Sequence, residues 1–267
     1  MNFTSQYSSL ALADDLVANG KVHFTFADAQ RRLGRSRAAT GNLLKRMLNA
    51  GLVDRVRHGH YVIRQLGVLG TTSVAEEVAL AVGAAFTGIP HRMAYRTALD
   101  EHDLITHPSR SIHVASTVRI RARTLSGRPL HVIKESADII DIGAVPSGIS
   151  RVSDLERTLL DAARRPTLVG GAVVLAEAVT AGGNDVDVAV LTDYASALGW
   201  ASALRRIGSI ADALEVPGLA GQLQPLAPIT ADLDLEPGAT PTHPRRDARW
   251  RIRWPLSIAE VKAVTQQ

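Results

Sequence analysis

The sequence predicts an α+β protein: an N-terminal winged helix-turn-helix, then a larger mixed α/β domain with a small sheet and a helical part. Three observations carry this. The stretch from Lys21 to Arg64 reads as two short capped helices followed by a period-two run. The middle of the chain holds β-rich runs separated by turn residues. The last third returns to alanine-rich segments. At 267 residues with 46% apolar but only 4% aromatic side chains, the chain can build large cores from helices with small packing residues. The expected division is a winged helix over residues 1–68 and a second domain over 69–267.

Within the first unit, Thr25 caps a helix through "FADAQRRLG", and Gly34 sits where a left-handed C′ residue is expected. Ser36 caps a second helix, "RAATGNLLKRMLNA", stopped at Gly51. Two short helices across a tight turn are helix-turn-helix geometry. Thr40, Leu43, Leu44, Met47 and Leu48 recur at helical spacing and should face the core. The opposite face carries Arg37, Ala38, Gly41, Asn42 and Lys45. Small residues there permit close approach to DNA, and Arg37 and Asn42 have the bidentate groups that read base edges. "LVDRVRHGHYVI" then alternates as two strands around "RHGH". That hairpin is the expected wing, with Arg57, His58 and His60 at its tip to meet phosphates or the minor groove.

Charge supports this assignment. Ten Lys or Arg against Asp28 and Asp54 make residues 21–64 +8, whereas residues 1–20 and 65–267 each sum to −2. A basic segment of this kind points to a polyanion as its partner, here double-stranded DNA. The plainer reading of the same segment is a helical module whose solvated basic face binds protein.

Downstream, "RQLGVLGTT" from Arg64 to Thr72 reads as a linker, and Ser73 with Glu76 as a capping box opening the next helix. Pro90 is expected to start a further helix, "PHRMAYRTALDEHDL", ending near Pro108. "SIHVAS", "RPLHVIKE" and "DIIDIGAVP" are β-rich and predict a small sheet. Helices resume at Ser153 and run through "GGAVVLAEAVTAGG" and "LTDYASALGWASALRRIGSIADAL". "PLAPITADLDLEPGATPTHPRR" reads as a Pro-rich loop, and "ARWRIRWPLSI" as a late strand with one basic face.

Several chemistries are disfavoured. Zero cysteines exclude disulfides and thiolate metal sites and predict a reducing, cytoplasmic setting. The N-terminus lacks the positive region of a signal peptide, and the most apolar later run, from Leu168, contains Glu177 and is too short to span a bilayer. His91, His102, His107 and His113 fall at spacings that match no helical ligand pair, so Tyr95 and His102 are expected to pack or cap rather than ligate. No phosphate-binding glycine motif is present, and "PSGIS" lacks the flanking glycine of a nucleophile elbow. No cofactor and no enzyme activity are expected. The acidic stretch "SDLERTLLDAARRP" reads as a helix: Ser153 as N-cap boxed with Glu156, Asp154 in the first turn, Arg157 and Asp161 as an i, i+4 pair, Arg164 and Arg165 at the C-terminus before Pro166. Leu155, Leu159 and Leu160 form its apolar stripe.

A winged helix ending in "LVDRVRHGHYVI", followed by "HRMAYRTALDEHDL", a β-rich region and "SDLERTLLDAARRP", resembles the AbiEi family, antitoxins of type IV toxin–antitoxin (abortive infection) systems. The resemblance covers roughly residues 10–185, with "G-x-Y" at Gly59–Tyr61 and "S-x-x-E-R-T-L-L-D" its most specific pieces. It implies that the winged helix binds inverted repeats in its own promoter and represses it. Arg35, Ser36, Arg37, Gly41, Asn42 and Lys45 would then be the helix contacts, and Arg57, His58 and His60 the wing contacts. It further implies that the second domain counters a nucleotidyltransferase-like toxin, with the outer charges of the 153–165 helix as candidates for that role. Two other readings stay open: a winged-helix factor whose second domain senses a small molecule, and an enzyme such as a nuclease fused to a DNA-binding module.

Overall fold

The computed structural model describes residues 3–63, 74–120, 124–229 and 231–265. The first unit runs α1 (Phe3–Ala18), β1 (His23–Thr25), α2 (Phe26–Leu33), α3 (Arg37–Asn49), β2 (Val53–Arg57) and β3 (His60–Ile63). Both helix starts follow from the expected caps. Thr25 Oγ1 accepts from the Asp28 amide at 3.1 Å, and the Asp28 carboxylate accepts from the Thr25 amide at 2.9 Å, a reciprocal capping box. Ser36 Oγ accepts from the Ala39 amide at 3.3 Å. Between the helices, Gly34 takes φ 59°, the left-handed turn that a side chain would strain.

Helix α1 and strand β1 have no counterpart in the sequence reading. Leu12 and Leu16 of α1 enter a core with Phe24, Ala29, Leu43, Leu44, Met47, Val53, Tyr61 and Ile63. Strand β1 pairs antiparallel with β3, which makes the hairpin a three-stranded sheet of order β1-β3-β2. The period-two reading of this hairpin also needs correction, because its sheet is covered on both faces. Val56 and Val62 point away from α3 and pack with Val78, Ala79 and Val82 of α4 (Val74–Ala85). The near-continuous apolar run "YVI" is the signature of such two-sided burial. The expected linker, the Ser73 cap and the boundary at 68/69 lie outside the described residues.

The second unit contains β4 (His91–Met93), α5 (Arg96–Glu101), β5 (Ile112–Ser116), β6 (Thr124–Leu125), β7 (Arg128–Lys134), β8 (Ala144–Ser147) and β9 (Ser150–Ser153). They form one six-stranded mixed sheet in the order β6-β7-β5-β4-β9-β8. The helix expected from Pro90 is therefore corrected to a strand and a short helix. His91–Met93 pairs antiparallel with β5 and parallel with β9, and Tyr95 at φ 52° prevents helix from running through. In "DIIDIGAVP" only the part from Ala144 is strand.

Helices α6 (Leu155–Arg164), α7 (Ala172–Gly182), α8 (Val188–Leu198), α9 (Ala201–Ala213) and α10 (Leu219–Leu223) build the helical part. Gly199, in the left-handed region, divides "LTDYASALGWASALRRIGSIADAL" into α8 and α9. The Pro-rich segment is not all loop: β10 (Leu233–Asp234) and β11 (Arg245–Asp247) flank β12 (Ile252–Trp254) in a small sheet before α11 (Ile258–Thr265). Trp250 and Trp254 are buried against α9, where a Cβ on Gly208 would lie 2.2 Å from the Trp250 ring. The basic face of β12 is real but neutralised: Arg251 binds Asp232 at 2.7 Å and Arg253 binds Asp234 at 2.8 Å.

The acidic stretch departs most from expectation. Strand β9 continues through Ser153, so Asp154 takes the N-cap and its Oδ1 accepts from the Arg157 amide at 2.8 Å. Glu156 closes no capping box with Ser153; it accepts from the Asp187 amide at 2.8 Å, at the start of α8. The Arg157–Asp161 pair exists at 2.9 Å, but with both side chains fully buried rather than solvated. Arg92 donates to Glu135 at 2.7 Å and to Asp161 at 2.9 Å, and Arg157 donates to Glu135 at 3.0 Å. Ser153 Oγ accepts from Arg92 Nε at 3.0 Å. The most specific family-like motif thus supplies Ser153, Arg157 and Asp161 to a buried, charge-balanced cluster that joins β4, β9 and α6 to Glu135, the residue after β7. Burial opposes the charge on Arg92, but the Asp161 and Glu135 carboxylates beside it hold it above the ordinary arginine value. Of this segment's charges only Arg164 and Arg165 are exposed.

Candidate DNA-binding surface

The candidate surface is the outer face of α3 with the turn before it. Leu43, Leu44 and Met47 fix the inner face in the core, with Leu48 half-buried beside them, which leaves Arg37, Ala38, Asn42 and Lys45 exposed. Arg35 and Ser36 are exposed in the turn, and Gly41 is half-buried. A Cβ on Gly41 would come no nearer than 4.0 Å to the Phe26 ring, so its smallness serves the outer surface rather than packing. Arg35, Ala39, Asn42, Lys45, Arg46 and Asn49 together line one shallow depression along the helix. Ala39, Arg46 and Asn49 are absent from the residues nominated by sequence. Their spacing from Arg35 and Asn42 is helical and was legible in principle.

The basic residues of this unit divide in two. Arg31 pairs with Asp28 and Arg32 with Asp15, so the cations of α2 are neutralised within the fold. Arg35, Arg37 and Lys45 have no ion pair with any described carboxylate. Arg37 lies over the Phe26 ring at 5.6 Å, which orients the guanidinium at the helix N-terminus. The charge available to a polyanion is thus concentrated on α3 and its turn.

The wing is short. β2 and β3 are joined at His58–Gly59, with Gly59 at φ 75° and a bulge between Arg55 and Arg57. His58 is exposed, and its Nδ1 accepts from Arg55 at 2.8 Å, which makes Arg55 a further wing candidate. His60 is half-buried and built into the sheet: its ring stacks on His23 at 5.3 Å, with the nitrogens 3.1 Å apart. The side chain of Arg57 lies outside the described residues.

Among the described residues no group of three or more His, Asp or Glu is placed to hold a metal ion. His91 is tied to the Ile89 carbonyl at 2.8 Å and Ser150 at 3.1 Å, His102 to the Ser153 carbonyl at 2.6 Å, and His113 stacks on His131 at 4.8 Å. Asp154 and Asp161, the carboxylates a nuclease reading would use, are respectively an N-cap and a fully buried partner of two arginines. No described helix is long and apolar enough to cross a membrane.

Fold and surface together define a winged-helix unit with a basic outer face on α3, attached to an α/β unit. Residues 12–64 match the family model described as "Transcriptional regulator, AbiEi antitoxin", so the AbiEi likeness holds over the winged helix, from α1 to β3. Along nearly its whole length the fold is that of the RV2827C protein from Mycobacterium tuberculosis. That crystal structure superposes with TM-score 0.70 at 15% identity over 96% of this chain and 93% of the other. No curated protein matches the chain.

Proposed function

We propose that the chain is a DNA-binding autorepressor and antitoxin of a type IV toxin–antitoxin system. Its winged helix, residues 1–68, binds inverted repeats in the promoter of its own operon. Residues 69–267 counter a nucleotidyltransferase-like toxin in the same cytoplasm. The observation that carries the reading is the outer face of α3: Arg35, Arg37 and Lys45 in no ion pair with a described carboxylate, with Asn42 between Arg37 and Lys45, inside the span that matches the AbiEi regulators. Arg35 and Lys45 supply phosphate contacts, and Arg37 and Asn42 read base edges. Ser36 holds the helix start, Gly41 permits close approach, and Arg57, His58 and His60 form the wing contact.

The test uses the full chain, because α4 buries Val78 and Val82 against Val56 and Val62 and truncation at the boundary would expose them. Binding of its upstream DNA is measured by fluorescence anisotropy over a salt series, beside co-expression with the neighbouring gene product. We expect steep salt dependence, and rescue of growth by the wild type. Salt-insensitive binding, or a neighbouring gene product without toxicity, would sink the proposal. An Arg35→Glu/Lys45→Glu variant separates the roles: it should lose repression, and retained rescue assigns neutralisation to the second unit.

A further inference from the structure

The C-terminal sheet carries a cavity that the DNA-binding surface does not use. It measures about 490 Å³ and opens beside β10, β11 and β12, and no residue of α3 or the wing lines it. Its walls are largely apolar, with Ala239, Pro241, Pro244 and Pro255 set around Trp254. They are also held in place. The Ala239 amide donates to the Glu236 carbonyl at 3.3 Å, and the Thr242 amide to the Pro255 carbonyl at 2.8 Å. His243 binds Glu260 at 2.9 Å, and Glu260 accepts from the Ser257 amide at 2.7 Å just before α11. Prolines, with φ already fixed, add to this rigidity. A pocket built in advance loses little freedom when it fills.

The charges around the cavity are met within the fold, with one exception. Arg253 pairs with Asp234 at 2.8 Å, and Arg246 with Asp232 at 3.0 Å. Glu236 accepts from the Ala172 amide at 2.7 Å, at the N-terminus of α7, where a helix favours negative charge. Arg245 differs. Its guanidinium lies over the Trp254 ring, 5.7 Å from the centroid, and makes no ion pair or hydrogen bond with any described group. Its Nη1 is buried away from bulk water. Leaving a buried cationic donor unpaired is costly, and an anion in the cavity relieves that cost.

We propose that this cavity binds a small organic carboxylate, its anionic end on Arg245 and its apolar body among the prolines. A planar guanidinium matches a carboxylate bidentately, and the Trp254 ring sets its plane beforehand. One unmatched cation calls for one negative charge. The Asp234 and Glu236 carboxylates in the same wall oppose a dianion such as phosphate. The volume suits a metabolite-sized molecule.

Benzoate, phenylacetate and hexanoate serve as probes of the full-length protein, each beside its uncharged amide, by titration calorimetry and tryptophan fluorescence. Each acid should bind at a single site, and its amide at least about tenfold more weakly, through loss of the charge-assisted pair. Arg245→Gln should weaken the acids by about the same factor and bring acid and amide to similar affinity. Ala239→Leu fills the cavity without touching a charge and should weaken acid and amide alike. The comparison of acid with amide on the wild type depends on neither variant. Equal affinity for the two, or no acid bound at about 10 mM, overturns the proposal. Displacement of the acids by inorganic phosphate overturns the assignment to a single negative charge. Binding that neither variant alters places the acids elsewhere and overturns this site. A short peptide ending in a free phenylalanine carboxylate that binds where the three acids fail overturns the small-molecule occupant in favour of a chain terminus.

Discussion

Arg92 Nη2 and Asp161 Oδ2 lie 2.9 Å apart, although 69 residues separate them and neither side chain has any exposure. The arginine comes from β4 and the aspartate from α6, so the pair ties the sheet to the helical part. Arg157 and Glu135 complete the cluster, and Ser153 and the carbonyls of Ile139 and Ile142 take up further hydrogen bonds. Moving four charges out of water is costly, and only such complete pairing offsets it.

Removing one member should therefore be severe. Asp161→Ala leaves Arg92 and Arg157 short of a counter-charge and should destabilise the protein by about 3–5 kcal/mol in chemical denaturation. Arg92→Met combined with Asp161→Leu should cost clearly less than the sum of the two single changes, because neither then strands the other. Additive costs would show that the pair is not coupled.

On α3, Asn42→Ala and Lys45→Ala should separate base reading from phosphate contact. Asn42→Ala should cost about 1–3 kcal/mol at one base position and relax specificity there. Lys45→Ala should weaken binding to every sequence alike and lower the salt slope by about 1. Both residues are exposed, so the melting temperature should stay near that of the wild type. Equal loss of specificity from both changes would contradict the division of roles.

Thr25 links the sheet to α2, as the last residue of β1 and the N-cap of the helix. Thr25→Ala removes the side-chain half of the capping box and should cost about 1 kcal/mol, whereas Thr25→Ser should restore most of it. Equal melting temperatures for the two variants would show that the hydroxyl is not what matters.

His113 is buried beside His131 and Arg96, and its burial is the main cause that lowers its pKa from the ordinary histidine value to about 4. It is neutral in the fold, so the unfolded chain takes up the proton first as pH falls. Its contribution is intact above about pH 6.5, declines on acidification, and levels off below about pH 4, a loss on the order of 3 kcal/mol. His113→Gln should flatten the stability curve over that window. An unchanged curve would place the acid sensitivity elsewhere.

The winged helix was largely legible because its signals are local. Thr25, Gly34, Ser36 and Gly51 punctuate two helices whose apolar spacing sorts inner from outer face, and a reader of three or four consecutive turns needs nothing more. Strand β1 escaped notice because three residues, His23–Thr25, gain strand character only by pairing with β3. The segment from His91 to Met93 misled for the same reason: its residues are strand because β5 and β9 flank them, whatever their local preference. The candidate site followed the same rule. Asn42 and Lys45 were placed on the outer face from helical phase, and the Arg31–Asp28 and Arg55–His58 contacts, three residues apart, were legible in principle, while the pairing of Arg32 with Asp15 joins residues 17 apart and required the fold.

By itself, then, the sequence determined the class: a capped, basic helix-turn-helix with a wing ahead of an α/β unit. Only the tertiary structure decided which of its charges are paired within the fold. Arg157 and Asp161 look solvated when read along the helix, yet they are closed off by Arg92 of β4 and by Glu135, the residue after β7. Arg251 and Arg253 look basic but meet Asp232 and Asp234, whereas Arg119 and Lys134 meet nothing of opposite sign among the described residues. The reason is physical. Helix caps and periodicity act between residues a few positions apart, but desolvation and charge pairing depend on whatever the fold brings within a few ångströms.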